Sequence, residues 1–412
     1  MSSQTNFTFR FRRQPLKLLY TLYKLITIPF IKLPFFILRA IFIRPRPTWS
    51  LARTVYVDLY RQVVVFIGQT GITPHLSPDK GAESARKQFG VGFSFVEPIP
   101  EEGIVADVKE AARLNGVKPE RRWGYWYGPG VLEEGFKKPP PGTKMFYFMH
   151  GGGFVLGSAH PSDPLTGETS TPILKHCPGA NIFAIEYRLA QASPYPLANG
   201  FPAGLIDALS GYYYLVHTLG IDSNDIIVSG SSAGGALAVG MLLYIIRQGL
   251  HRRDGSGLSL PLPRALWLES PAVDWGMSHV TSTSSMTLFQ RSDIVSPFIQ
   301  PTDYCVRAVL GNLPKEEAEK NVYISPASKN LTDEEVKGLF KEFPDVALTY
   351  GGSEILRDVV WTFRDRLVRD LGKERVLDLE EPDCPHVFST LLLHEKDKES
   401  AYGKVGRWYK DL

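Results

Sequence analysis

The chain has 412 residues, 43% hydrophobic and 22% charged, which is enough apolar material for one large α/β domain with additions. The net charge is only +3, and no basic patch with interleaved aromatic residues is present in the body, which argues against nucleic acid as a partner. The three cysteines have neither metal-ligand spacing nor the pattern of a disulfide framework, so no metal site is predicted.

Basic residues are concentrated at the N-terminus. The first acidic residue is Asp58, and ten Lys and Arg residues precede it. From Asp58 onward the chain carries 36 basic and 43 acidic residues, a net charge of −7. This asymmetry predicts a basic N-terminal segment, residues 1–50, attached to a mildly acidic body, residues 51–412.

Residues 16–43 are an apolar, aromatic stretch within that segment. Four basic residues recur there at intervals of seven or eight and would share one side of a helix: Lys17, Lys24, Lys32 and Arg39. This pattern favours a helix that lies in the membrane plane with its basic face toward anionic headgroups. A spanning helix is the alternative, since the stretch is long enough, although its charges and prolines disfavour it. We expect a membrane-associated protein, at the endoplasmic reticulum, with in-plane and single-pass arrangements both open.

Predicted strands and helices alternate along the body. An amphipathic helix is predicted over 51–69, and residues 70–100 have no clear assignment. Short runs that read as strands occupy 121–130, 144–149, 181–187, 224–230, 263–270, 344–352 and 375–381. Helical stretches at 200–218, 233–249 and 355–371 lie between several of them. The alternation predicts a mostly parallel sheet covered by helices on both faces.

One long irregular stretch interrupts this alternation. Residues 276–340 are rich in Ser and Thr and lie between two predicted strands. An insertion of this size in an α/β domain is usually a lid or a binding element. We therefore predict a lid over 276–340 and a cap over 51–119.

The sequence GSSAG at 230–234 follows an apolar strand and precedes a helix of small residues. This is the context of a nucleophile elbow, a strand-to-helix turn too tight for side chains at Gly230 and Gly234. Such a turn exposes the hydroxyl of Ser232 at the carboxyl end of the sheet, whereas Ser231 should point elsewhere. Ser232 is the predicted nucleophile.

The sequence HGGGF at 150–154 directly follows another apolar strand. Glycines at this position let backbone N–H groups approach a substrate carbonyl whose oxygen becomes negative during acyl transfer. We assign the N–H groups of Gly151, Gly152 and Ala233 to an oxyanion hole. His150 is interpreted as a structural residue that shapes the loop.

The general base and the acid are expected after the nucleophile, in the order Ser, acid, His. His386 follows the last predicted strand and is the predicted base, whereas His394 lies on the following helix. The acid is expected after the strand at 344–352, where Glu354 and Asp358 are both candidates. Glu354 is nearer the strand end, so it is preferred.

Taken in order, these motifs resemble those of the hormone-sensitive-lipase-like, or α/β-hydrolase-3, esterases. The HGGG motif of that family is matched at 150–153, and its GDSAGG elbow by GSSAGG with Ser231 in place of Asp. Its YRLAPE stretch is matched by YRLAQASPYPLA at 187–198. Its D-P-L-R-D motif is matched by E-I-L-R-D, which places Glu354 on the acid position, and its P-H-x-F motif is matched at 385–388.

The resemblance covers roughly residues 120–412 and implies an α/β-hydrolase fold with a Ser–Glu–His triad, no metal and no organic cofactor. Glu354 is one methylene longer than the usual Asp of the family. With its membrane-facing N-terminus, the chain looks most like the fungal branch, which includes a sterol-acetate deacetylase.

The sequence thus predicts a serine carboxylic-ester hydrolase that acts on a hydrophobic acylated small molecule through an acyl-enzyme on Ser232. Water and alcohols compete for one acyl-enzyme, so an acyltransferase or a lactone or thioester hydrolase of secondary metabolism remains an alternative. A non-catalytic, membrane-tethered scaffold of the same fold is a further alternative, and the intact Ser232, His386 and oxyanion loop argue against it.

Overall fold

The computed structural model describes residues 9–71, 76–129, 140–252, 258–299 and 303–412. Residues 1–8 of the predicted N-terminal segment lie outside the described residues. The same holds for 72–75 in the predicted cap and 300–302 in the predicted lid.

Within the described ranges, eight strands form one sheet, ordered β1-β2-β4-β3-β5-β6-β7-β8. Their bounds are β1 Gly92–Val96, β2 Arg122–Tyr127, β3 Met145–Met149, β4 Asn181–Glu186, β5 Ile226–Ser231, β6 Ala265–Glu269, β7 Asp345–Gly351 and β8 Val376–Glu381. Strands β3 to β8 run parallel, whereas β2 is antiparallel to both of its neighbours. The predicted mostly parallel sheet is therefore confirmed, with a strand in each of the seven predicted runs.

The eighth strand, β1, falls in the stretch that the sequence left unassigned. It lies at the edge of the sheet, and most of its residues are partly exposed. An edge strand needs no continuous apolar run, so periodicity gave little signal. The range predicted as a cap, 51–119, consequently includes one strand of the central sheet.

Helices cover both faces of this sheet. The helices are α1 Leu16–Thr27, α2 Leu33–Phe42, α3 Leu51–Thr70, α4 Pro78–Ser84, α5 Ala106–Asn115, α6 Pro164–His176, α7 Ala203–Tyr213, α8 Ala233–Arg247, α9 Ser285–Leu288, α10 Ser296–Ile299, α11 Tyr304–Leu310, α12 Glu317–Lys320, α13 Asp333–Val336, α14 Arg357–Leu371 and α15 Glu395–Asp411. Because side chains alternate along a strand, Met145, Tyr147 and Met149 of β3 pack with α7, α8 and α14. Phe146 and Phe148 pack with α6 and α15.

The carboxyl ends of the parallel strands bring five polar residues to one edge of the sheet. Since the strands share one direction, the loops that follow them meet there. His150 follows β3, Ser232 follows β5, Ser270 follows β6, Glu354 follows β7 and His386 follows β8. This edge is where a site is expected.

Helices α1, α2 and α3 form an N-terminal hairpin, residues 16–70. A single π-helical turn, Ile28–Lys32, joins α1 to α2 into one continuous run. Tyr20 of α1 stacks on Phe66 near the end of α3. Arg39 of α2 forms an ion pair with Asp58, which lies nearer the start of α3. Contacts in reversed order mean that the α1–α2 run lies antiparallel on α3.

The orientation predicted for the basic residues of this run is wrong. Lys24 and Lys32 both donate to the side-chain oxygen of Gln62, and Arg39 pairs with Asp58. Three of the four basic side chains therefore contact α3 instead of pointing away from the protein. The outward face is apolar: fifteen large hydrophobic residues between Leu16 and Ile43 are 40–77% exposed.

The α1–α2 run, Leu16–Phe42, has 27 residues and is long and apolar enough to cross a membrane. Helical membrane anchors and signal sequences share these properties. Only 11% of its most apolar window is buried, so the run is unlike the core helix of a soluble protein.

Candidate active site

Ser232 lies at a strained turn between β5 and α8. Its backbone has φ 53° and ψ −118°, a left-handed conformation that costs free energy for any residue other than glycine. A Cβ on Gly230 would collide with the backbone of Gly234, and a Cβ on Gly234 would collide with the backbone of Met149 and His150. The elbow predicted from GSSAG is therefore present in its full geometry.

The hydroxyl of Ser232 is bonded to the predicted base. Ser232 Oγ lies 2.8 Å from Nε2 of His386, within hydrogen-bond distance. Ser232 is 9% exposed and His386 1% exposed. The imidazole can thus accept the hydroxyl proton in a site that is nearly closed to bulk water.

On the other side of the imidazole, Nδ1 of His386 lies 3.6 Å from Oε2 of Glu354. The separation exceeds hydrogen-bond length. Oε2 also accepts bonds from Ser270 Oγ at 2.6 Å and from the N–H of Gly351 at 3.2 Å. Glu354 is fully buried, so these bonds fix the carboxylate that faces the imidazole.

Asp358, the other acid candidate, is bonded elsewhere. Its Oδ2 accepts from the N–H of Ser285 at 2.8 Å, and its Oδ1 accepts from the guanidinium of Arg357. The structure thus brings Glu354, and not Asp358, to His386.

Three buried carboxylates determine the electrostatics at His386. Burial by itself lowers the pKa of His386, but Glu354, then Asp293 and Glu269, outweigh it and the pKa is raised above its usual value. Burial also raises the pKa of Asp293 and raises that of Glu269 to about 7. Negative charge around the ring therefore stabilises the imidazolium form.

The glycine loop after β3 lies against the elbow. A Cβ on Gly151 would come 3.3 Å from Cβ of Ser232, and Gly152 has φ 116°, which favours glycine. Ala233 is the first residue of α8, where backbone N–H groups have no partner within the helix. Gly151 thus lies against Ser232 and Ala233 follows it in the chain, whereas Gly152 lines the same cavity as Ser232.

His150 packs against this loop through its ring. Its ring stacks on Tyr187 with centroids 4.2 Å apart, and its Nδ1 lies 2.7 Å from the carbonyl oxygen of Gly151. His150 is fully buried. These contacts agree with the structural role expected for it.

A cavity of about 500 Å³ opens beside Ser232 and His386. Helix α3, the insertion and the glycine loop provide much of its wall, and most of the lining side chains are apolar. Helix α3 contributes Tyr60, Val63, Val64 and Ile67; the insertion contributes Met277, Ile294, Val295, Cys305 and Val306; the glycine loop contributes Gly151, Gly152, Gly153 and Leu156. The cavity suits an apolar group attached to a carbonyl at Ser232.

Ser270, Glu269 and Asp293 were not identified from the sequence. Ser270 links the acid to the backbone next to the base: its Oγ donates to Glu354 and accepts from the N–H of Val387 at 3.2 Å. Ser270 and Glu269 stand at the carboxyl end of the parallel strand β6, a position that could have revealed them. Asp293 lies in the irregular insertion, which offers no such positional signal.

Among the described residues, one group has side chains of the types that bind a metal cation. Cys384, His394 and Asp397 place ligand atoms within 4.8 Å of one another. The guanidinium of Arg53 already donates to Asp397, and a fixed positive charge at that place disfavours a metal ion.

Comparison with known proteins gives a consistent result. A family model described as alpha/beta hydrolase fold matches residues 146–390, more than half of the chain. The chain is 36% identical over 253 residues to an AB hydrolase superfamily protein of Schizosaccharomyces pombe, covering 60% of this chain and 64% of that protein. It is 28% identical over 218 residues to an acetyl-hydrolase of Streptomyces hygroscopicus, covering 52% of this chain and 58% of that protein. The first four curated relatives are matched over 44–64% of their own lengths.

Among solved structures, the chain is similar to the hormone-sensitive-lipase homologue EstE7 from a metagenome library. The TM-score is 0.54 with 20% sequence identity, over 87% of this chain and 98% of that one. At this identity the similarity concerns the fold, and it confirms the predicted α/β-hydrolase architecture.

Proposed function

This chain belongs to the α/β-hydrolase-3 family, the hormone-sensitive-lipase-like group, and we propose that it is a serine carboxylic-ester hydrolase acting on a hydrophobic acylated small molecule. The observation that carries the proposal is the 2.8 Å bond between Ser232 Oγ and His386 Nε2 beside an apolar cavity. Relatives that are themselves named esterase and acetyl-hydrolase support it.

In the proposed reaction, Ser232 Oγ attacks the ester carbonyl while His386 accepts its proton. The N–H groups of Gly151, Gly152 and Ala233 stabilise the negative oxygen of the tetrahedral intermediate. His386 then returns the proton to the departing alcohol, which leaves an acyl group on Ser232. Water, deprotonated by His386, releases the acid in a second cycle, and Glu354 orients the ring and stabilises the imidazolium in both steps.

A chain-length series on p-nitrophenyl esters tests the substrate class. Each methylene that enters the apolar cavity contributes up to about 0.8 kcal/mol, so kcat/KM should rise by up to about fourfold per methylene until the cavity is full. Sterol acetates, run beside the series, test a large apolar alcohol. A kcat/KM that is flat or falls from acetate onward in the p-nitrophenyl series, together with no cleavage of the sterol acetates, contradicts a hydrophobic substrate.

The raised pKa of His386 gives a pH prediction. Only the neutral imidazole accepts the proton of Ser232, so kcat/KM should fall as the pH drops through a value above the ordinary 6.5. Asp293→Asn removes one of the carboxylates that raise this pKa, and the acid limb should move to lower pH. Asp333→Asn, an exposed carboxyl in the same insertion, is the control and should leave the limb in place. An acid limb that Asp293→Asn does not move contradicts this electrostatic assignment.

The second part of the proposal is that the outward face of α1 and α2 binds a membrane surface in the plane of the bilayer. Spanning would require the α1–α2 run to separate from α3, breaking the contacts of Lys24, Lys32 and Arg39. Lys24 and Lys32 lie nearer the middle of the run than Arg39, and each would then cost up to about 2.5–3.5 kcal/mol in the core of a bilayer. Lying in the plane keeps the contacts and buries only the apolar face.

Flotation with liposomes tests this surface. The triple variant Leu22→Glu, Leu25→Glu, Leu38→Glu removes three apolar side chains from the outward face, and its partition coefficient should fall on the order of 10²–10³-fold. The matched control changes three leucines elsewhere that are exposed to a similar degree, Leu114, Leu197 and Leu288. Equal losses in both variants, or no binding by the unaltered protein, contradict the proposal. Placement at the endoplasmic reticulum stays a prediction from the sequence, and cell fractionation tests it.

A further inference from the structure

The N-terminal hairpin contacts the part of the insertion that packs against the proposed catalytic acid. Arg61 of α3 donates through Nη1 to the carbonyl oxygens of Gln290 and Asp293 and, at 2.7 Å, to Ser296 Oγ. Three acceptors between Gln290 and Ser296 of the insertion thus converge on a single guanidinium. Charge-assisted bonds of this kind are stronger than those between neutral groups.

Two residues of the segment that Arg61 contacts, Ser292 and Asp293, bond the backbone on both sides of the acid. Ser292 Oγ donates to the carbonyl oxygen of Ser353 at 2.8 Å, and Asp293 Oδ2 accepts from the N–H of Ile355 at 2.5 Å. Ser353 and Ile355 are the two neighbours of Glu354 in the chain. Ser292 and Asp293 are 2% and 0% exposed, so water does not compete for these bonds.

The same hairpin, with the linker before α3, contacts the loop that carries the base. Trp49 donates through Nε1 to the carbonyl oxygen of Asp383 at 2.7 Å. Arg46 and Thr48 donate to the carboxylate of Asp383 at 3.0 and 2.5 Å. Farther along the loop, Arg53 donates to the carbonyl oxygen of Leu393.

A small apolar cluster joins the three parts. Trp49 and Val57 of the N-terminal region pack with Ile294 of the insertion and Leu391 of the base loop. All four are buried, with Trp49 1% exposed. Ile294 directly follows Asp293, so the cluster and the hydrogen bonds act on the same residues.

We infer that the N-terminal region, besides facing the membrane, positions the proposed acid and base against each other, with Arg61 as the positioning residue for Glu354 and Trp49 for His386. The inference rests on the proposed function. The acid and base stand on loops that follow β7 and β8, and the N–H of Ser353 donates to the carbonyl oxygen of Cys384 at 2.9 Å between these loops. The contacts of the N-terminal region add to that bond from outside the sheet. Their 3.6 Å separation must shorten for Nδ1 of His386 to donate a hydrogen bond to the carboxylate, and a misplacement of about 1 Å can cost 10²-fold in rate.

Arg61→Met tests the acid side, with Gln62→Leu as the matched control. Gln62 is the next residue of the same helix but contacts Lys24 and Lys32 of the outer run, so only Arg61→Met affects the insertion. On full-length protein and p-nitrophenyl butyrate, Arg61→Met should lower kcat about 10–100-fold with KM nearly unchanged. Arg61→Lys, which keeps the charge and part of the donors, should recover part of the loss.

Amide hydrogen exchange provides a readout that does not depend on activity. Arg61→Met should speed exchange in the peptide that covers 352–358, and Gln62→Leu should not. Trp49→Phe keeps an aromatic ring in the cluster but loses the bond to Asp383, so it should speed exchange over 382–390. Trp49→Phe still tests the inference if Arg61→Met does not fold.

Equal kcat and equal exchange over 352–358 for Arg61→Met and Gln62→Leu would overturn the acid side of the inference. Unchanged exchange over 382–390 in Trp49→Phe would overturn the base side. If the wild-type protein cleaves no ester at all, the proposed function fails, and the exchange measurements still decide whether the N-terminal region holds these loops.

Discussion

Replacing Ser232 by alanine is expected to lower kcat by about 10⁵–10⁶-fold, since no other group can carry the acyl intermediate. The fold should remain intact, because the Ser232 side chain makes no capping bond to α8. Loss of the hydroxyl leaves the oxyanion groups and the cavity unchanged. Turnover of p-nitrophenyl butyrate, together with labelling by a fluorophosphonate probe, measures the effect.

Ser231→Ala is the control for that experiment. Ser231 is the neighbouring residue, and its buried hydroxyl has no hydrogen-bond partner among the described residues. Its removal should leave labelling and turnover close to wild type. If Ser231→Ala abolishes labelling and Ser232→Ala does not, the nucleophile has been assigned to the wrong serine. A wild-type protein that hydrolyses no ester and takes no probe would favour the non-catalytic scaffold.

The parts of this molecule that the sequence predicted are those set by local rules. Strand β3 could be predicted because a strand buried on both faces requires a continuous apolar run, and all five of its residues are buried. Ser232, Glu354 and His386 could be located because each follows a parallel strand, and such ends meet at one edge of the sheet. The positions of these three residues directly after predicted strands were therefore sufficient to predict that they lie together.

The parts that the sequence did not predict depend on tertiary contacts. Periodicity placed Lys24, Lys32 and Arg39 on one side of a helix, but it could not show that Gln62 and Asp58 would lie opposite them. The direction of that face was consequently inverted. Asp293 contacts the backbone beside Glu354 from an insertion without helical or strand period, so no local pattern marked it.

Glu354→Gln is expected to lower kcat by about 10⁴-fold, because an amide cannot stabilise the imidazolium of His386 and favours the wrong tautomer. The substitution keeps the size of the side chain, and the amide oxygen can still accept the bond from Ser270. The loss should therefore come from charge more than from geometry. Combined with Ser232→Ala, it should add little further loss, since the two residues act as one unit.

Two further variants separate the effect of the charge at residue 354 from that of the length of its side chain. Glu354→Asp keeps the charge but withdraws it by one methylene, so an intermediate loss is expected if the longer side chain is needed to approach His386. Asp358→Asn is the control: Asp358 bonds the N–H of Ser285, so the melting temperature should fall while kcat stays within about tenfold of wild type. If Asp358→Asn costs more activity than Glu354→Gln, the acid is Asp358. In that case the Ser270 bond would serve only to satisfy a buried carboxylate.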